Sequence, residues 1–139
     1  MMAARRELDH WAETQEGSLA LLILLDQFPR NCFRGTAHQF ATDPLARHFA
    51  EQAVARGHHL AFETDLRNFL LLAFEHSERL EDQDRYLDLI GDDADLQKWG
   101  HIHRDIIVRF ARFPHPNACL GRETTAEEQA FLDDGGFGG

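Results

Sequence analysis

Residues Leu19–Gly35 read LALLILLDQFPRNCFRG, and the first half of that stretch decides the fold class. Every residue from Leu19 to Leu25 is apolar, so a helix here has no polar face and needs other helices around it. Proline lacks a backbone donor and disfavours helical geometry in the residue before it, so this helix is expected to stop near Phe28. Near the other end, Ile106–Gly121 reads IIVRFARFPHPNACLG and repeats the plan: apolar helix, Phe-Pro, a polar loop with Asn, then Gly. Leu21, Leu22, Leu25 and Phe28 correspond to Ile106, Ile107, Phe110 and Phe113, with one extra residue between Pro and Asn in the second copy. The echo points to an internal pseudo-repeat, too irregular to belong to a regular array.

Outward from this stretch, the remaining punctuation is helical. Thr14 is an expected N-cap with Glu16 in the first turn, and Asp43-Pro44 reads as an N-cap followed by Pro at the first helical position. Leu45, Phe49, Ala53 and Val54 make the next buried stripe, and Gly57 ends it. Thr64 opens a helix with Leu66, Phe69, Leu70, Ala73 and Phe74 inward. A charged helix spans about Glu81 to Ile90, and Asp92 or Asp93 caps another whose inward residues are Leu96, Trp99, His103, Ile106, Ile107 and Phe110. Thr125-Ala-Glu-Glu128 is a capping box for a last short helix. No segment alternates as a strand does. The expectation is an all-α fold of about six helices in antiparallel hairpins, one domain over residues 1–134, with 135–139 a flexible glycine-rich tail.

The totals narrow the function. With 139 residues and a net charge of −10, the chain is one acidic domain, which argues against a nucleic-acid partner. Its longest apolar run, seven residues, falls far short of the roughly 20 that span a bilayer. The start, MMAARRELDHW, has no hydrophobic stretch of the secretory kind. Cys32 and Cys119 are too few for a disulfide framework; one bridge between the echoing loops is conceivable, but reduced thiols in a cytoplasmic protein are the expectation.

Chemistry concentrates behind the two prolines. Arg30, Asn31 and Arg34 follow the first; His115, Asn117 and Arg122 follow the second. Brought together, the three arginines would offer forked donors to a carboxylate or phosphate, and His115 and the asparagines neutral hydrogen bonds. The competing reading has the arginines capping helix ends and pairing with Asp26, Glu123 and other acids, and the asparagines capping helix ends. His76, in Glu75-His76-Ser77-Glu78, and His103 join His115 as candidate acid–base groups. Metal-ligand spacing of the HExxH or CxxC kind is absent, and no cofactor motif is present.

The motifs LLDQFPRNCFRGT with FATDPLA, EHSERLEDQ, and HRDIIVRFARFPHPNACLGRETTAEEQAFL resemble a bacterial family of uncharacterised proteins known as DUF924, over roughly Trp11 to Leu132. The resemblance implies a helical fold related to tetratricopeptide repeats and no established activity. Members usually carry a further N-terminal helical segment, which is short here, and Pro116 stands where the family's second loop has Arg. The functional expectation is a small anionic molecule or an acidic peptide terminus bound between the Phe-Pro loops. The alternatives are an interaction module with a helical groove and a metal-dependent hydrolase. A homodimer covering the apolar central helices is also expected.

Overall fold

In the computed structural model, which describes residues 1–138, the apolar stretch is the centre of the molecule, and its helix runs past the proline. Helix α1 (Gln15–Leu22) passes into a π-helical turn (Ile23–Gln27) and then α2 (Phe28–Cys32), so the expected stop at Phe28 is corrected to Cys32. The wide turn is the reason. Pro29 has no N–H for the carbonyl of Leu25, and its ring would crowd that oxygen in a regular α-helix. The π-turn pairs Phe28 N–H with Ile23 O instead, and the Thr42 hydroxyl donates to Leu25 O at 2.5 Å. Side chains meet the next two carbonyls as well: Arg30 donates to Asp26 O at 3.2 Å and Asn31 to Gln27 O at 2.8 Å.

Around this run lie α3 (Asp43–Ala55), α4 (Thr64–Glu75), α5 (Leu80–Leu89), α6 (Ala94–Phe110) and α7 (Ala126–Asp133). Counting the π-interrupted run once, the described residues form six helical rods and no strand. Helix α1 packs on α3 and α4, and from α3 onward each helix packs on the next as far as α6. Several caps are those the residues announce: Thr14 accepts from Gly17 N–H, Asp93 from Asp95 and Leu96, and Thr125 and Glu128 form the reciprocal box. Asp43 is the exception. Helix α3 starts at Asp43, with Thr42 before it, because the Asp43 carboxylate is taken by Arg30.

The main core gathers Leu21, Leu22, Leu25, Phe49, Leu70, Leu71, Phe74 and Tyr86. A second cluster holds Ile106, Ile107 and Phe113, with Phe110, Phe131 and Phe137 packed against it. Two residues expected inside are not: Leu66 and Trp99 are 46% and 47% exposed.

The two Phe-Pro motifs are built differently. At the second, α6 stops at Phe110, where Ala111 takes a left-handed conformation and its N–H bonds Ile107 O, so Phe113-Pro114 lies outside the helix. The echo in sequence is therefore not a repeat in local structure. At the far end, α7 closes with Gly135 N–H on Leu132 O and Gly136 N–H on Phe131 O, a Schellman stop with Gly135 at φ 80°. Gly136 passes so close to Phe131 that an added Cβ would meet its Cζ and its carbonyl oxygen at 2.5 Å. The chain read as a free tail thus turns back, and Phe137 packs against His103 and His115; residue 139 lies outside the described residues.

Candidate functional site

Both Phe-Pro corners open on one cavity of about 870 Å³. The first corner supplies Arg30 and Arg34, the second His115, Pro116, Cys119 and Leu120. The C-terminal end of α4 adds His76, Ser77 and Glu78; α6 adds His103 and the turned-back chain Phe137. All three histidines singled out in the sequence therefore line the same space.

Asp26 stands at the base of this arrangement, 1% exposed, on the π-turn that the proline requires. Its Oδ1 lies 2.7 Å from His76 Nδ1 and 2.9 Å from the Arg30 guanidinium, and Oδ2 accepts from Gln27 at 2.5 Å. Burial by itself raises the Asp26 carboxyl, but the charges and hydrogen bonds of His76, Arg30 and Gln27 outweigh it and hold the group below its ordinary value. With Nδ1 held by Asp26, His76 keeps Nε2 free of other hydrogen bonds among the described residues. That is the geometry of an oriented acid–base imidazole.

Arg30 is fully occupied. It forks onto Asp43 at 2.8 and 3.0 Å, reaches Asp26, and lies 5.7 Å above the ring of Phe40. Asp43 moves the opposite way from Asp26: burial raises its carboxyl, and the neighbouring Asp26 charge adds to that despite the Arg30 fork. Arg34, exposed on the cavity, makes no ion pair among the described residues and is the cation open to a ligand.

The other histidines are more enclosed. His103 Nδ1 lies 2.8 Å from Glu75 Oε1, off the line of a hydrogen bond, with both side chains buried. His115 is half-buried between Phe113 and Phe137, and its Nδ1 has no partner among the described residues. Burial, followed by the charges of His103 and Arg30, lowers it to about 4.

Three expected ligand groups lie outside the cavity. Asn31 is exposed and caps the Gln27 carbonyl. Asn117 is fully buried and donates to Glu128 and Thr124, tying the second corner to α7. One guanidinium nitrogen of Arg122 donates to both Glu78 oxygens at 2.8 and 2.9 Å, and the other terminal nitrogen donates to Phe113 O at 3.0 Å. These three brace the corners. Ser77 donates to Asp82 at 2.6 Å rather than to His76, so the neighbours make no dyad.

Sequence reading missed Asp43, Arg47, Arg79 and Phe137 as cavity walls. Asp43 carried a cap signal that concealed its role, and Arg47, forked onto the buried Asp82 at 2.5 and 3.0 Å, carried no signal in the chain. Cys32 and Cys119 are both free thiols. No three His, Cys, Asp or Glu side chains among the described residues converge on one point, which leaves the metal-dependent reading without a donor set. No helix among them is long and apolar enough to cross a membrane.

No curated protein matches the sequence. A solved structure, that of the protein of unknown function ATU0120 from Agrobacterium tumefaciens, is similar at 55% identity and a TM-score of 0.92, over 96% of this chain and 76% of that one. Residues 1–136 match the family model described as bacterial protein of unknown function, DUF924. From Met1 into the strap that carries Phe137, the chain belongs to the DUF924 family.

Proposed function

We propose that the protein binds a small organic anion in the cavity between its two Phe-Pro corners, and that His76, oriented by Asp26, exchanges a proton with it. The observation that carries this reading is the setting of His76. A buried carboxylate holds one ring nitrogen, and the side chain faces a space that Arg34 shares. Of the four arginines that line that space, Arg30, Arg47 and Arg79 are paired with carboxylates, and Arg34 has no such partner among the described residues, on a chain of net charge −10. The interaction-module and homodimer readings draw on a different observation, the exposed edge-to-face pair Phe28 and Phe33 at 6.4 Å. That patch is small and lies outside the cavity lining, so the anion reading is preferred.

A thermal-shift screen of small carboxylates and phosphate esters tests it. Ligand at 100 times its Kd should stabilise the protein by about 2.7 kcal/mol. Arg34→Ala should weaken binding by about tenfold or more, as loss of a charge-assisted hydrogen bond does. His76→Asn should keep binding and lose the proton exchange, read as proton uptake or release on binding by calorimetry in buffers of different ionisation enthalpy. Undiminished binding by the Arg34 variant would move the site elsewhere.

A further inference from the structure

We infer that the ligand carries an aromatic ring, that the ring sits between His103, Phe113 and His115, and that Phe137 occupies this subsite until the ligand displaces it. The inference rests on the cavity being a ligand site, as proposed above, and adds the chemistry of the ligand's apolar part.

The subsite is described by the ring it holds now. The Phe137 centroid lies 4.4 Å from that of His103 at 85° and 5.2 Å from His115 at 86°, both edge-to-face. Phe113 meets His103 at 5.7 Å and 88° and packs in the same cluster as Phe137, and Trp99 approaches Phe137 at 6.5 Å and 61°. Edge-to-face geometry is what ring quadrupoles favour, so these walls select a planar ring over an aliphatic group of the same size.

The occupant is held through its side chain and not through its backbone. After the two cap hydrogen bonds at Gly135 and Gly136, neither Phe137 nor Gly138 makes a backbone hydrogen bond among the described residues. Glycines flank Phe137 on both sides, so its departure meets little backbone resistance. Phe137 also stands between two spaces. It walls both the large cavity and a neighbouring one of about 310 Å³ lined by Tyr86, Leu96 and Trp99, as His103 also does.

Nor does Phe137 satisfy the polar groups around it. His115 Nδ1 is buried without a partner, and His103, 7% exposed, has only its off-line approach to Glu75. A hydroxyl or ring N–H on a ligand would offer His115 Nδ1 the donor that a phenyl ring lacks. The ligand class is therefore an aromatic carboxylate or phosphate, favoured further when its ring bears a polar substituent.

The test replaces Phe137 by 4-fluorophenylalanine in the full chain and follows its fluorine resonance, while affinities are measured for 4-hydroxyphenylacetate, phenylacetate, cyclohexylacetate and the neutral probe 4-methylphenol. The aromatic probes should move the resonance to a solvent-exposed position, with affinity falling in the order hydroxyphenyl, phenyl, cyclohexyl. Phe137→Ala should tighten phenylacetate by about tenfold, as expected if the subsite is open about one-tenth of the time in the parent. Cyclohexylacetate binding as tightly as phenylacetate, or a stationary resonance with every probe, would overturn the inference. Arg34-dependent binding of anions with the resonance unmoved would leave the anion site standing and remove the ring subsite. Displacement by 4-methylphenol with no advantage for phenylacetate would do the reverse.

Discussion

His115 shows how far a single side chain's surroundings decide its chemistry. The letters around it, Phe-Pro-His-Pro-Asn, announce a polar loop, yet the ring lies against Phe113 and Phe137 and its pKa falls to about 4. The unfolded chain takes up that proton near 6.5 and the folded chain only near 4. Between those values the unfolded state binds more protons, so this contribution to stability is complete above about pH 6.5 and is lost as pH falls toward 4. Full burial would make a shift of that size worth roughly 3 kcal/mol; screening of a partly exposed ring lowers the expectation to about 1–2 kcal/mol. His115→Phe should flatten the stability profile across that window by this amount, measured by urea unfolding at pH 4.5 and 7.5. An unchanged slope would assign the acid sensitivity to another group.

At the scale of elements, the first Phe-Pro corner is where local rules and tertiary contacts meet. Pro29 removes a donor, the π-turn absorbs the misfit, and Thr42 from the start of α3 donates to the Leu25 carbonyl left over. Leu25 is completely buried, so water cannot easily replace that hydroxyl. Thr42→Val keeps the shape of the side chain and deletes the donor. It should cost about 1–3 kcal/mol, the usual penalty for an orphaned buried acceptor, read as a fall in Tm. A wild-type Tm would mean the carbonyl finds another partner. Because the turn also sets Asp26 beside His76, the variant should weaken anion binding along with stability.

Across the whole molecule, the cavity depends on a tie between distant parts of the chain. Glu78, at the turn between α4 and α5, accepts from Phe113 N–H at 3.0 Å and from one guanidinium nitrogen of Arg122. Among the described residues it is the one side chain that hydrogen-bonds both sides of the second corner to the end of α4, next to His76. Glu78→Ala should release that corner, with hydrogen exchange at the Phe113 amide accelerating about tenfold or more while amides of the main core near Leu71 keep their protection. Equal acceleration throughout would mean the variant destabilises the fold globally and not the corner.

Much of this protein is settled by its residues in order. The all-apolar run at Leu19–Leu25, the glycine stops and the caps at Thr14, Asp93 and Thr125 require helices, because they express backbone hydrogen bonding and burial within a few residues of each other. The histidines and Arg34 were legible as candidates because chemistry resides in side-chain type. Which of the candidates meet was not legible. Asp26 serves His76 fifty positions away because the π-turn that carries it packs against α4, whose end carries His76. Asn117 and Arg122, with the same letters as good ligands, brace the corner because Glu128 and Glu78 reach them first. Partners separated by tens of residues are selected by how helices pack, a property of shape in three dimensions that no short window of sequence contains.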